Sequence, residues 1–110
     1  MKTLQNNFTT PEQSKRLLEL GVPRWTADEY RDIKGFRHSL EGILDIELYF
    51  QNFPECTPCW SVGRLIEIFE ICTPYKISQS EFTGTYIVQI CKAFLFAKEM
   101  KSLDFSKLEE

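Results

Sequence analysis

Histidine is nearly absent: His38 is the only one in 110 residues. A Ser-His-Asp assignment has no second candidate base to fall back on, and His38 lies in a segment expected to turn. Glycine is almost as sparse. The five glycines stand apart at positions 21, 35, 42, 63 and 84, so there is no phosphate-cradling loop. Long apolar runs are missing too. "YIVQICKAFLF" is too short to span a bilayer and carries Lys92. "MKTLQNNFTTPEQ" at the start has no continuous apolar region of the signal-peptide kind, so a cytoplasmic location with reduced thiols is expected. A strong excess of one charge is also lacking. The formal net charge of −3 argues against a dedicated nucleic-acid binder, which usually carries a basic face.

What is present is an ordinary globular composition with many aromatics: 43% hydrophobic, 26% charged, and nine Phe residues. Large rings let a small chain build an adequate core. One domain over residues 1–110 is expected, with a polar tail from about 103 that frays.

The cysteines form the one eye-catching spacing, Cys56-x-x-Cys59 in "ECTPCWSVGRL". A redox pair places its first thiol at a helix N-terminus, inside a βαβ pattern. Here the second cysteine stands nearer the helix start expected at Ser61, and no βαβ pattern surrounds it. Zinc needs a second ligand pair. Cys72 and Cys91 have no neighbouring ligand and read as small core hydrophobes. No catalytic, cofactor-binding or metal-binding residue is assigned, although a thiol or zinc protein through Cys56 and Cys59 is kept as an alternative.

Helix signals are clearer. "TTPEQSKRLLELG" carries Thr10 as N-cap, Pro11 at the first helical position, Gln13 completing a capping box and Gly21 as a left-handed stop. Thr26 and Glu29 repeat the capping-box spacing and predict a short helical turn through Tyr30, with Trp25 packing just before it rather than serving as a binding aromatic. Ser61 predicts the start of an amphipathic helix through Cys72, ended by Thr73-Pro74. A long helix from about Glu81 to Ser102, with Ser80 as its cap, has one broad apolar face through Tyr86, Ile87, Ile90, Cys91, Phe94 and Met100. Val88, Leu95 and Phe96 extend its apolar character elsewhere.

Strand signals lie between and after these helices. "ILDIELYF" alternates Leu44, Ile46, Leu48 and Phe50 against Asp45, Glu47, Tyr49 and Gln51, which predicts a half-buried strand. Helical spacing through Leu40, Ile43, Leu44, Glu47 and Leu48, capped by Ser39, competes with it. Asp45 and Glu47 then read as solvating acids rather than a catalytic pair. A shorter strand near Ile33–Arg37, a turn through "SLEG" and a strand in "PYKISQS" complete an α+β domain: about three main helices on an antiparallel sheet of two to three strands.

Charge is uneven along the chain. Residues 1–40 carry seven cations against five acids, and residues 41–72 carry Arg64 against six. A nucleic-acid surface would need Lys15, Arg16, Arg24, Arg31 and Arg37 to converge. The leading expectation is a non-enzymatic accessory protein that acts through a protein–protein surface, with a homo-oligomer through the last helix as one form of it, because that helix carries more apolar surface than a small core requires.

Three blocks also resemble a known group. Phe8 to Pro23 ("FTTPEQSKRLLELGVP"), Ala27 to Tyr30 ("ADEY") and Pro58 to Leu65 ("PCWSVGRL") resemble the pattern F-T-T-x-E-Q-S-K-x-L-x-x-L-G-[IV]-P, A-D-x-Y, P-x-W-S-x-x-x-L. That pattern belongs to small uncharacterised proteins encoded in prophages and mobile elements of gut anaerobes. The chain departs from it between residues 31 and 55 and after 73. The resemblance implies a mobile-element context and a small α+β domain, and it carries no catalytic residues.

Overall fold

The computed structural model describes residues 8–76 and 86–108. Thr10 and Gln13 form the expected capping box: Thr10 Oγ1 accepts from Gln13 N at 3.2 Å, and Gln13 Oε1 accepts from Thr10 N at 2.9 Å. The helix they start, α1, spans Pro11–Leu20. It ends at Gly21, whose φ of +108° lets its N–H reach the Leu17 and Leu18 carbonyls.

The second expected capping box does not form. Thr26 donates its hydroxyl to the Pro23 carbonyl at 2.6 Å and accepts from Trp60 Nε1 at 2.9 Å, so its oxygen is engaged away from any helix start. Arg24–Thr26 makes one 3-10 turn, and the chain then extends into β1, Glu29–Arg31. β2 is Arg37–Ser39, later than the strand expected over 33–37. Residues 32–36 form the connecting turn, where the Asp32 carboxylate accepts from Lys34 N and Phe36 N and Gly35 takes a φ of +93°. β3, Thr57–Cys59, pairs with the other edge of β1, giving an antiparallel sheet in the order β2-β1-β3.

The turn through Glu41 and Gly42 is present, but the strand expected after it is not. Ile46–Asn52 is a helix, α2, capped by Asp45 through Leu48 N at 3.0 Å. The alternating set splits accordingly: Phe50 is buried and Ile46 packs against the core, while Leu44 is fully exposed and Leu48 half-exposed. The competing helical reading is right in kind, but Asp45 rather than Ser39 is the cap. Of the face through Leu40, Ile43, Leu44, Glu47 and Leu48, only Leu40 and Ile43, which precede the helix, pack on the core, while Leu44 and Leu48 stay exposed. Ile46, Tyr49 and Phe50 pack, at i, i+3 and i+4.

Ser61 caps α3, Val62–Cys72, through Arg64 N at 3.2 Å, and the helix ends at Thr73 as expected. α4 spans Tyr86–Glu99. Its expected cap at Ser80 and first residues 81–85 lie outside the described residues, as does most of the strand expected in "PYKISQS". The described part of that segment, 74–76, is in no strand. Lys101, at φ +58°, turns the chain after α4 so that Ser102 N reaches the Ala97 carbonyl at 3.0 Å.

The following segment packs rather than frays over 103–108. Asp104 N bonds the Cys72 carbonyl at 2.8 Å, and Leu103, Phe105 and Leu108 pack against the core. Phe105 lies 3.3 Å from where a Cβ on Gly21 would stand. The core itself is centred on α3 and α4, where Phe69 and Phe94 meet edge-to-face at 5.3 Å, with Leu17, Phe50 and Trp60 closing its sides. Among the described residues, four α-helices and this three-stranded sheet make the α+β fold, and no helix is long and apolar enough to cross a membrane.

Candidate protein-interaction surface

A polar knot ties the start of α1 to β1 and to the start of α3. Thr9 N donates to the Trp60 carbonyl at 2.9 Å, and Trp60 N donates to Thr9 Oγ1 at 3.1 Å. Thr9 Oγ1 also lies 2.7 Å from Ser14 Oγ on α1, and Arg31 Nη2 donates to the Thr9 carbonyl at 2.9 Å. Trp60 reaches Thr26 through its indole N–H, while the Asp28 carboxylate accepts from Ser61 N at 3.0 Å and Ser61 Oγ at 2.6 Å. The three sequence blocks quoted above therefore meet in space, at Thr9 and Ser14, at Asp28, and at Trp60 and Ser61. Their joint work at this point is to hold helix starts together.

α1 then runs along α4, and α4 has two faces. Ile87, Ile90, Phe94 and Ala97, spaced i, i+3, i+7 and i+10, are buried. Val88, Leu95, Phe96 and, just past the helix, Met100 are 39%, 43%, 54% and 57% exposed. Tyr75 extends this outer surface, with its ring 6.4 Å from Phe96 and 6.3 Å from the buried Phe69. Between α1 and α4 lies a groove of about 120 Å³ with Leu17 and Leu20 on one wall and Val88, Cys91 and Leu95 on the other. Arg16 and Lys92 also line it, and neither makes an ion pair among the described residues. Burial pushes the Cys91 thiol up to about 11, against a smaller downward pull from Arg16, so this groove residue is a neutral thiol at pH 7.

The residues singled out from sequence fall in different places. Cys59 is buried at the end of β3, with its thiol 3.4 Å from the Thr9 carbonyl; Cys56 is half-buried. Burial raises both thiols above the ordinary range, the opposite of what an activated thiolate requires. No three metal-ligating side chains gather among the described residues. His38 Nε2 lies 2.8 Å from Asp32 Oδ2 on the exposed hairpin, and its ring stacks on Tyr30.

The five cations do not converge with free charges. Arg24 pairs with Glu47 through contacts of 2.7 to 3.1 Å, Arg31 is held by Thr9, and Arg37 lies 4.3 Å over the Phe8 ring beside Glu29. That leaves Lys15 and Arg16 on α1. Glu47 is thus the partner of Arg24, which depresses its carboxyl pKa, and Asp45 is a helix cap. Trp25 is only half-buried and lines an open cleft of about 550 Å³ with Ile46 and Ile71; the core tryptophan is Trp60.

Sequence reasoning missed Thr9, Thr26 and Asp28 as partners, because a lone hydroxyl or carboxylate carries no sign of a partner more than 30 residues away. It also missed the hairpin tip, where Ile33 and Phe36 are largely exposed. No family model, curated protein or solved structure matches the chain.

Proposed function

We propose that the protein is a non-enzymatic interaction module whose docking surface is the outer side of α4 and the adjoining α1–α4 groove. One observation carries this reading: Val88, Leu95, Phe96 and Met100 stay exposed on a helix whose opposite face already fills the core. Exposed apolar side chains of this kind, with Lys92 and Glu99 between them, are favourable to cover, and large ones such as Phe96 contribute most when desolvated. An accessory role for a mobile-element protein agrees with this surface. The nucleic-acid alternative has weaker support, since Arg24, Arg31 and Arg37 are engaged within the fold. The thiol or zinc alternative is weakened by the raised pKa values of Cys56 and Cys59.

The test compares proteins captured from the native host by the wild type and by Leu95→Asp/Phe96→Asp, with light scattering of both at micromolar concentration. The expected result is a captured protein, or a self-associated state, that is lost in the folded double variant. A monomeric wild type that captures nothing, or capture and association indifferent to the substitutions, would overturn the reading.

A further inference from the structure

The groove between α1 and α4 has features that specify its occupant more narrowly. We infer, resting on the interaction reading above, that it receives an amphipathic helix of a partner protein with acidic residues flanking its apolar stripe.

Shape and backbone chemistry favour a helix. The α4 wall runs from Val88 through Cys91 to Leu95, two helical turns and about 10 Å at the usual rise. A partner helix matches that length with side chains at i, i+3 or i+4, and i+7. Helix walls offer no strand edge, so an extended peptide laid here would lose water from backbone groups and gain no ladder in return. A helix satisfies its own backbone.

Charge selects the partner's flanks. Both walls are apolar, and the charged groups on the groove are Arg16 from α1 and Lys92 from α4, with no acid among the lining residues. Glu12 and Glu19 share α1 with Arg16 but do not line the groove. Acids on the incoming helix would pair with the two cations and dock its stripe in one orientation. A second copy is a less matched occupant: its own α4 brings Lys92, set between Val88 and Leu95, as well as Glu99 two turns on from Lys92, so its charges are mixed rather than acidic.

The experiment uses two fluorescent helical peptides with the same leucine stripe at i, i+3, i+4 and i+7, one flanked by Glu and one by Lys. Their anisotropy is titrated with the full chain. Saturable binding of the Glu peptide is expected, with the Lys peptide at least about tenfold weaker. Arg16→Glu/Lys92→Glu should reverse that preference, and Leu95→Asp should abolish binding of both. Val88→Asp provides an independent second disruption, and far-UV circular dichroism checks that each variant is folded.

Equal binding of the two peptides, binding that survives both Leu95→Asp and Val88→Asp, or no binding of either peptide would overturn the proposal. If neither peptide binds but light scattering reports a dimer lost in Leu95→Asp, a second copy is the occupant and only the acidic-helix assignment falls. If neither binds and the host capture is also empty, the interaction reading falls with it.

Discussion

The knot around Trp60 and the outer face of α4 are built on opposite principles. In the knot, polar groups are taken out of water and nearly all are matched: Thr9 and Ser14 with each other, Trp60 with Thr9 and Thr26, and Ser61 with Asp28. Such a network is costly if one member is lost, and it specifies one arrangement of α1, β1 and α3. On α4, apolar groups are left in water without compensation inside the molecule. The first region is explained by the fold, and the second asks for something beyond it.

The largest loss of stability is therefore expected in the knot. Trp60→Ala removes a fully buried ring and the N–H that donates to the Thr26 hydroxyl, at about 3–5 kcal/mol, enough to unfold much of the population of a marginal domain. Thr26→Val leaves the indole N–H without an acceptor and should cost about 1–3 kcal/mol, read as a lower urea midpoint at unchanged slope. Asp28→Ala releases the Ser61 N–H and hydroxyl at the start of α3, with a loss of about 1–2 kcal/mol by thermal unfolding.

Alkaline pH probes burial at Cys72 on α3 and at Cys91 on the α4 wall of the groove. Burial raises the Cys72 and Cys91 thiols from 9.0 to about 11. The stability this contributes is fully present below the unfolded thiol's pKa. It is lost as pH rises from about 9 to about 11, because only the unfolded chain ionises readily across that window. A urea-midpoint series should show this decline, and Cys72→Ala should make it shallower, with the Cys91 share remaining. At the end of α4, Lys101 holds a left-handed conformation that glycine adopts freely, so Lys101→Gly should raise stability slightly, by up to about 1 kcal/mol.

The same contrast explains what could be read from sequence. Capping signals are local, so Thr10, Gln13, Gly21 and Ser61 were legible as helix boundaries, and Ile87, Ile90 and Phe94 were legible as one face of α4; Met100, grouped with them by spacing, instead lies past the helix end and is exposed. The α+β class followed from these. Strand placement did not. Leu44, Ile46, Leu48 and Phe50 alternate, but Asp45 caps a helix there, a local signal that the alternation overrode, and Glu47 reaches Arg24, which only the folded chain brings near. Thr26 has the spacing of a cap but serves Trp60, 34 positions away. Cys56 and Cys59 have the spacing of a thiol motif, yet Cys56 precedes β3 and Cys59 ends it, and neither starts a helix. The outer face of α4 was visible as surplus apolarity, whereas its cationic groove needed α1 beside α4.

The smallest expected effect is the most telling. The thermal midpoint of Leu95→Asp/Phe96→Asp, measured beside the wild type and Trp60→Ala, asks whether the outer face belongs to the fold. The expected midpoint lies within a few degrees of the wild type, in keeping with substitutions at exposed positions. A fall approaching that of Trp60→Ala would mean that these side chains hold the core, and the surface would lose its claim to a partner.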